Sequence, residues 1–260
     1  MRKKTKVILW FSAIPIILVV GMAWLLWGGI SNPANRKTIG EIRTPIGFER
    51  ISVEPDSFGA FLREFPLQKR GSHMEYYNGR MAYGQYFGYA VLDLPMISNA
   101  EQCTDAVMRM RSEYLFSKER FSDIHFQTFQ DGTMRYKGSR DKNNLHDFLK
   151  RVYGSSNTST LRKELKQKSW KDLSPGDVLV YQADARHSVG HAVLIVDVAV
   201  NPKTGKKAIM IAQSSMPALT MHIVRDFLHP LHSPWVIIDD SDDVIFISGI
   251  QFDKKDLRCW

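Results

Sequence analysis

The run Gly190–Val200 is the segment that most limits what this chain can fold into. It is apolar and rich in β-branched residues, with Asp197 as its one charge, and it reads as a strand. Asn201-Pro-Lys-Thr-Gly205 follows with hairpin-loop residue types, and Ala208–Ser214 returns as a second strand. With Asn201–Gly205 as the loop, Val200 faces Lys206. Gln213 then falls opposite Val193, diagonal to His191 on the same face. Diagonal neighbours lie about 7–8 Å apart, within reach of long side chains. The same count puts Asp197 on that face, but six residues along a strand is roughly 20 Å, too far to touch His191.

The remaining segments arrange themselves around this hairpin. Leu173-Ser-Pro-Gly-Asp177 is a turn leading into a strand over Val178–Tyr181, and Val236–Ile238 and Val244–Ile250 are further strands. The first half is helical in pattern. Phe58, Phe61, Leu62 and Phe65 recur at helical spacing. Ser98-Asn99-Ala100-Glu101 has the form of a capping box. It opens a helix whose apolar stripe is Cys103, Val107, Met110 and Tyr114. Leu145–Tyr153 and Asn157–Lys168 add helices, and the aromatic alternation of Glu75–Leu94 predicts one or two strands. Helices first and an antiparallel meander afterwards make the fold class α+β. No internal repeat or low-complexity stretch is present. Apolar content of 44% and aromatic content of 11% exclude disorder as the main state.

The net charge of +8 invites a nucleic-acid reading, but Arg2, Lys3, Lys4 and Lys6 supply half of it, leaving +4 without them. After that basic cluster, Val7–Trp27 carries no charge. As a helix it spans roughly 30 Å, the thickness of a bilayer core. The reading is a cytoplasmic tail at 1–6, a transmembrane signal anchor at 7–27, a linker at 28–50 and an extracytoplasmic domain at 51–260. A cleaved signal and a buried soluble helix are the alternatives. The positive cluster ahead of the span places the domain in the periplasm or another extracytoplasmic space of a bacterial inner membrane. The expected partners are the membrane, through the N-terminal helix, and peptidoglycan or envelope proteins. The mild excess of +4 suits anionic wall polymers or lipid headgroups. Nucleic acid is not expected, because no reading motif accompanies the charge.

Two cysteines are too few for a structural zinc or iron–sulfur cluster within one chain, and no cofactor or metal is expected. A cysteine nucleophile needs a base to take its proton and a third group to hold that base. Cys103 near a helix start, His191 at a strand start after Gly190, and Gln213 diagonal to His191 are the catalytic candidates. Cys103 can equally be a buried thiol on the apolar stripe or the partner of Cys259 in a disulfide. His191 and Gln213 can each be ordinary structural residues. His187 with His191, and His229 with His232, are weak ligand pairs. Arg109, Arg111, Lys118 and Arg120 read as a solvated helix face. The tyrosines of 76–89 are core and sheet surface, or a platform on which a glycan stacks.

Several runs carry a resemblance. Glu101-Gln-Cys-Thr-Asp-Ala-Val-Met-Arg-Met-Arg-Ser-Glu-Tyr-Leu115 resembles the cysteine-containing helix of the bacterial DUF4846 domain family, which has no defined function. Leu173–Val180, Gly190–Val198, Ile211–Pro217 and Ser233-Pro-Trp235 are similar to the same family. More distantly, the order of a helix cysteine, a Pro-Gly-Asp strand, a Gly-His strand and a polar residue on the next strand resembles the papain-like NlpC/P60 and CHAP amidases. That likeness implies a papain-like fold and a cysteine amidase acting on an amide bond, plausible in cell-wall peptide. Cys103 would attack, His191 would shuttle the proton and Gln213 would hold the ring. The competing expectation is a non-catalytic envelope binding or scaffold domain of the same fold.

Overall fold

The computed structural model describes residues 30–227 and 229–260, and it is an α+β fold. The basic tail and the anchor expected over 1–27 lie outside the described residues. Among the described residues no helix is long and apolar enough to cross a membrane.

Among the described residues four α-helices form: α1 (Phe58–Glu64), α2 (Cys103–Ser117), α3 (Lys142–Tyr153) and α4 (Thr158–Glu164). Side chains that accept otherwise unpaired N–H groups start three of them. Ser57 accepts from Ala60, Asp141 from Asn143, and Asn157 from Ser159 and Thr160. In α3 the buried residues Leu145, Phe148, Leu149 and Val152 form one apolar stripe.

The strands are β1 (Glu49–Arg50), β2 (Gly88–Val91), β3 (His125–Gln127), β4 (Thr133–Arg135), β5 (Lys166–Gln167), β6 (Val178–Tyr181), β7 (His191–Val200), β8 (Lys207–Gln213), β9 (His222–Val224), β10 (Trp235–Ile238), β11 (Val244–Ile247), β12 (Ile250–Asp253) and β13 (Leu257–Cys259). The main sheet runs β2-β9-β8-β7-β6-β13-β5, every neighbouring pair antiparallel. β1 adds to the far end of β7 and β10 to the far end of β8. β3 with β4, and β11 with β12, are separate hairpins.

The sheet is buried on both faces. Ala192, Leu194, Val196 and Ala199 join the core shared with the helices, through Ala106, Val107, Met110, Leu149 and Val152. Val193, Ile195 and Val198 join a second core with Ile209, Ile211 and the β11–β12 residues Ile245, Ile247 and Phe252. The parity changes between Ile195 and Val198 because β7 bulges there, where Ile195 pairs with Ile211 and Asp197 with Met210.

That bulge corrects two expectations. The hairpin loop is one residue longer than predicted, because Val200 pairs with Lys207. The extra residue of the bulge compensates, so Leu194 pairs with Ala212 and Gln213 still falls opposite Val193. Asp197 does not share the His191 face. It is fully buried and held by Arg50 at 2.5 Å and Arg63 of α1 at 2.8 Å. Its carboxylate ties α1 and the end of β1 to the middle of the sheet.

Two further expectations change, and a third is met at its lower end. The linker predicted over 28–50 is part of the fold from residue 30 onward: Ile39 and Ile42 are core residues, and Glu49 and Arg50 pair with β7. The aromatic stretch 75–94 yields one strand, the short β2, of the one or two expected. Gly79 and Gly84, both at positive φ, break the alternation into turns. Arg109 and Arg111 are not a solvated face. Arg109 is buried against Glu101 at 3.3 Å and Glu113 at 2.7 Å, and Arg111 lies over Phe58, Tyr114 and Trp260. α2 is covered on nearly every side, so its charges must pair internally.

Removing the Asp197 carboxylate leaves two arginines facing a buried acceptor that has gone. We expect Asp197→Ala to cost about 3 kcal/mol of stability, read from the urea midpoint of the purified chain. A loss under about 0.5 kcal/mol, the range of ordinary surface substitutions, would show that the pair does not anchor α1.

Candidate active site

Cys103 is the first residue of α2, with Gln102 as its cap. The capping box expected at Ser98–Glu101 forms a turn instead. Glu101 accepts from the Ile97 N–H at 3.0 Å, Ser98 Oγ accepts from the Ala100 N–H, and Asp105 takes the capping role by accepting from the Gln102 N–H at 3.0 Å. The helix therefore starts later than predicted, and Cys103 sits in the first turn rather than the second. There the positive end of the helix dipole favours a thiolate, and the Cys103 N–H has no acceptor within the helix.

His191 is the first residue of β7, opposite Tyr181 of β6. Gly190 before it lets α4 approach: a Cβ there would lie 2.2 Å from Thr158 Oγ1 and 3.0 Å from the Tyr181 carbonyl. Gln213 ends β8, and its Oε1 lies 2.9 Å from His191 Nε2. With Nε2–H donating to Gln213, Nδ1 is the nitrogen left for the thiol. Cys103 and His191 line the same cleft and lie close enough for each to shift the other's pKa. The three predicted residues, spread over more than a hundred positions of sequence, are brought into one line.

The electrostatics favour moving the proton from sulfur to imidazole. Burial resists the Cys103 thiolate, but His191, the Ala192 backbone N–H and the Thr104 hydroxyl overcome it and lower the thiol pKa. Burial likewise resists the imidazolium, yet Cys103 and Gln213 raise the His191 pKa. The rings of Tyr181 and Phe252 lie 6.3 Å from the His191 ring and restrict it.

Two neighbours carried no signal in the sequence. Asp105 is pushed up to about 8, chiefly by burial, so at pH 7 it stays largely neutral beside Cys103. His222, opposite Gln213 on β9, is held near 4 by complete burial and adds no charge to repel the imidazolium. Each is a single polar residue whose importance comes from spatial neighbours, so no motif could have marked it.

The line opens into a cleft of about 760 Å³. Gln102–Asp105 form one wall, Asn157–Ser159 and Gln182–Ala183 another, and Ser188–His191 and Ser215–Met216 complete it. The other histidine pairs do other work. His187 binds Asp184 at 3.0 Å and stacks on Tyr181, and His229 binds Asp226 at 3.0 Å. Among the described residues no three His, Cys, Asp or Glu side chains converge as a metal ion requires. Cys103 and Cys259 are unpaired thiols, so the disulfide alternative is not formed here.

The pKa directions predict reactivity. Iodoacetamide labelling of Cys103, followed by peptide mass spectrometry, should rise with pH to a midpoint below the ordinary thiol value of 9.0. In His191→Ala burial acts with less opposition. The midpoint should move up, and labelling at pH 7 should fall about tenfold, one pKa unit being a factor of ten in thiolate. A profile unchanged by His191→Ala would rule out the coupled pair.

No curated protein and no solved structure matches this chain. A family match covers residues 39–139 and 133–259, most of the sequence. The chain belongs to the family described as Domain of unknown function (4846).

Proposed function

We propose that this protein is a papain-like cysteine hydrolase that cleaves an amide bond, with cell-wall peptide as its substrate class. The observation that carries the reading is the Cys103–His191–Gln213 line at the mouth of an open cleft. A helix N-terminal cysteine packed against an antiparallel sheet, with base and orienting residue on adjacent strands, supports the papain-like part of it. The uncharged segment Val7–Trp27 supports a membrane anchor, which would hold the domain on the extracytoplasmic face, against the wall.

In this mechanism the Cys103 thiolate attacks the carbonyl carbon, forming a C–S bond and a tetrahedral oxyanion. The Cys103 N–H donates to that oxyanion. The oxyanion collapses, the C–N bond breaks, and His191 gives its proton to the leaving amine. Water then attacks the thioester, with His191 taking its proton. The second tetrahedral intermediate collapses, the C–S bond breaks and the acid leaves, which restores the Cys103 thiolate beside protonated His191. Gln213 accepts the Nε2–H bond throughout and keeps Nδ1 aimed at sulfur.

Incubation of the full chain with peptidoglycan, with new amines followed by labelling and mass spectrometry, tests the reading. We expect release by wild type and loss of about a thousandfold or more in Cys103→Ala, in line with removal of a catalytic nucleophile. Gln213→Ala should lower kcat by about tenfold to a hundredfold with KM little changed, as expected when an orienting group acts in the transition state. Release undiminished in Cys103→Ala would overturn the assignment, and no release by wild type would favour the binding-module alternative.

A further inference from the structure

Exposed apolar side chains gather around the cleft. Of the ten large hydrophobics most exposed among the described residues, Val189 and Met216 rim the cysteine cleft, and Tyr77, Met81 and Tyr83 line a second depression. Chance scatter would not place half of them on two adjoining hollows. The second depression is a groove of about 530 Å³, whose polar members are Asn78, Arg80 and Asn99.

The two hollows share a wall. Asn99 lines the groove and Ala100 the cleft; Met216 lines the cleft and Pro217 the groove. The groove is also tied to the orienting strand. Gln213 continues into Ser214, whose Oγ donates to the Leu219 carbonyl at 2.6 Å and lies 3.4 Å from the Glu101 carbonyl. Thr220 then fixes the tyrosine loop, its N–H donating to the Glu75 carbonyl at 2.9 Å and its Oγ1 accepting from the Glu75 N–H at 3.0 Å. Tyr76 is held within the loop, its ring edge-on to Tyr83 and its hydroxyl 3.4 Å from the Tyr83 N–H. Tyr83, 83% exposed, and Tyr77, 49% exposed, are left with open rings on a braced support.

We propose that this groove is a saccharide subsite, which holds the glycan part of a glycopeptide while an amide of its peptide part lies at Cys103. A pyranose has a face of C–H groups that packs on an aromatic ring, and a rim of hydroxyls that needs donors and acceptors. Exposed tyrosines edged by two amides and a guanidinium supply both. An apolar peptide would instead seek an enclosed hydrophobic pocket. The placement of the amide rests on the hydrolase reading; the sugar site does not.

Chitotetraose, a soluble oligomer of β-1,4-linked N-acetylglucosamine, is the probe, and saturation-transfer NMR is the readout. The full chain is kept in a detergent without a sugar headgroup. We expect transfer to the sugar protons in wild type and equally in Cys103→Ala. In Tyr77→Ala with Tyr83→Ala the affinity should fall at least tenfold, and in Asn99→Ala severalfold, with circular dichroism and thermal midpoint showing each variant folded. No transfer at millimolar sugar, or transfer unchanged in the tyrosine variant, would overturn the subsite. So would displacement of the sugar by an unglycosylated proline-rich peptide in wild type but not in the tyrosine variant. Sugar binding that persists where peptidoglycan amides are not cut counts against the hydrolase alone, so the two readings fail separately.

Discussion

The pairing of β6, β7 and β8 is the constraint on which the rest of the structure depends. β7 is buried on both faces, so its register decides which side chains enter the helical core and which enter the core under the β11–β12 hairpin. A slip of one residue would exchange the two sets. The same register sets His191 beside Gln213 at one end of the sheet. The bulge at Ile195–Asp197 lets both ends of the strand be correct: it absorbs the extra residue of the loop near Val200 and turns Asp197 toward Arg50 and Arg63.

Buried charge fastens the helices to that sheet. Asp197 draws in α1 through Arg63. Arg109 of α2 links Glu113 of the same helix to Glu101 in the turn before it, and Lys142 of α3 reaches Glu113 at 3.1 Å. Each group is costly to bury alone and tolerable only with its partners in place. These networks define where α2 begins and lies, and so where the Cys103 thiol stands relative to His191. The hydrophobic cores supply the larger stabilisation but are non-directional; the ion pairs and caps supply direction.

The cleft shows how local and distant effects combine. The helix N-terminus and the glycine before His191 are local features. The balance of Cys103 against burial is not, because besides its neighbour Thr104 it depends on His191 and Ala192, which arrive from β7. Asp105 illustrates the same point in reverse. Its capping bond is a local matter, whereas its neutrality comes from the packing around it.

By itself the sequence determined the class of the fold, the strands over Val178–Tyr181 and Gly190–Val200 and the helix over Leu145–Tyr153, and it named Cys103, His191 and Gln213 as candidates. These rest on periodicity, turn chemistry and strand pairing, which act over a few residues or across one hairpin. The tertiary structure alone decided the start of α2 at Cys103, the face of Asp197, the burial of Arg109, the packing of residues 30–50 and the place of β9 between β2 and β8. Each of those depends on groups far apart in the chain. A capping residue is chosen among several candidates by what its competitors bind, as Glu101 is taken by Ile97 and Arg109. A charge goes inside only where partners from other elements wait, and no window of sequence contains those partners.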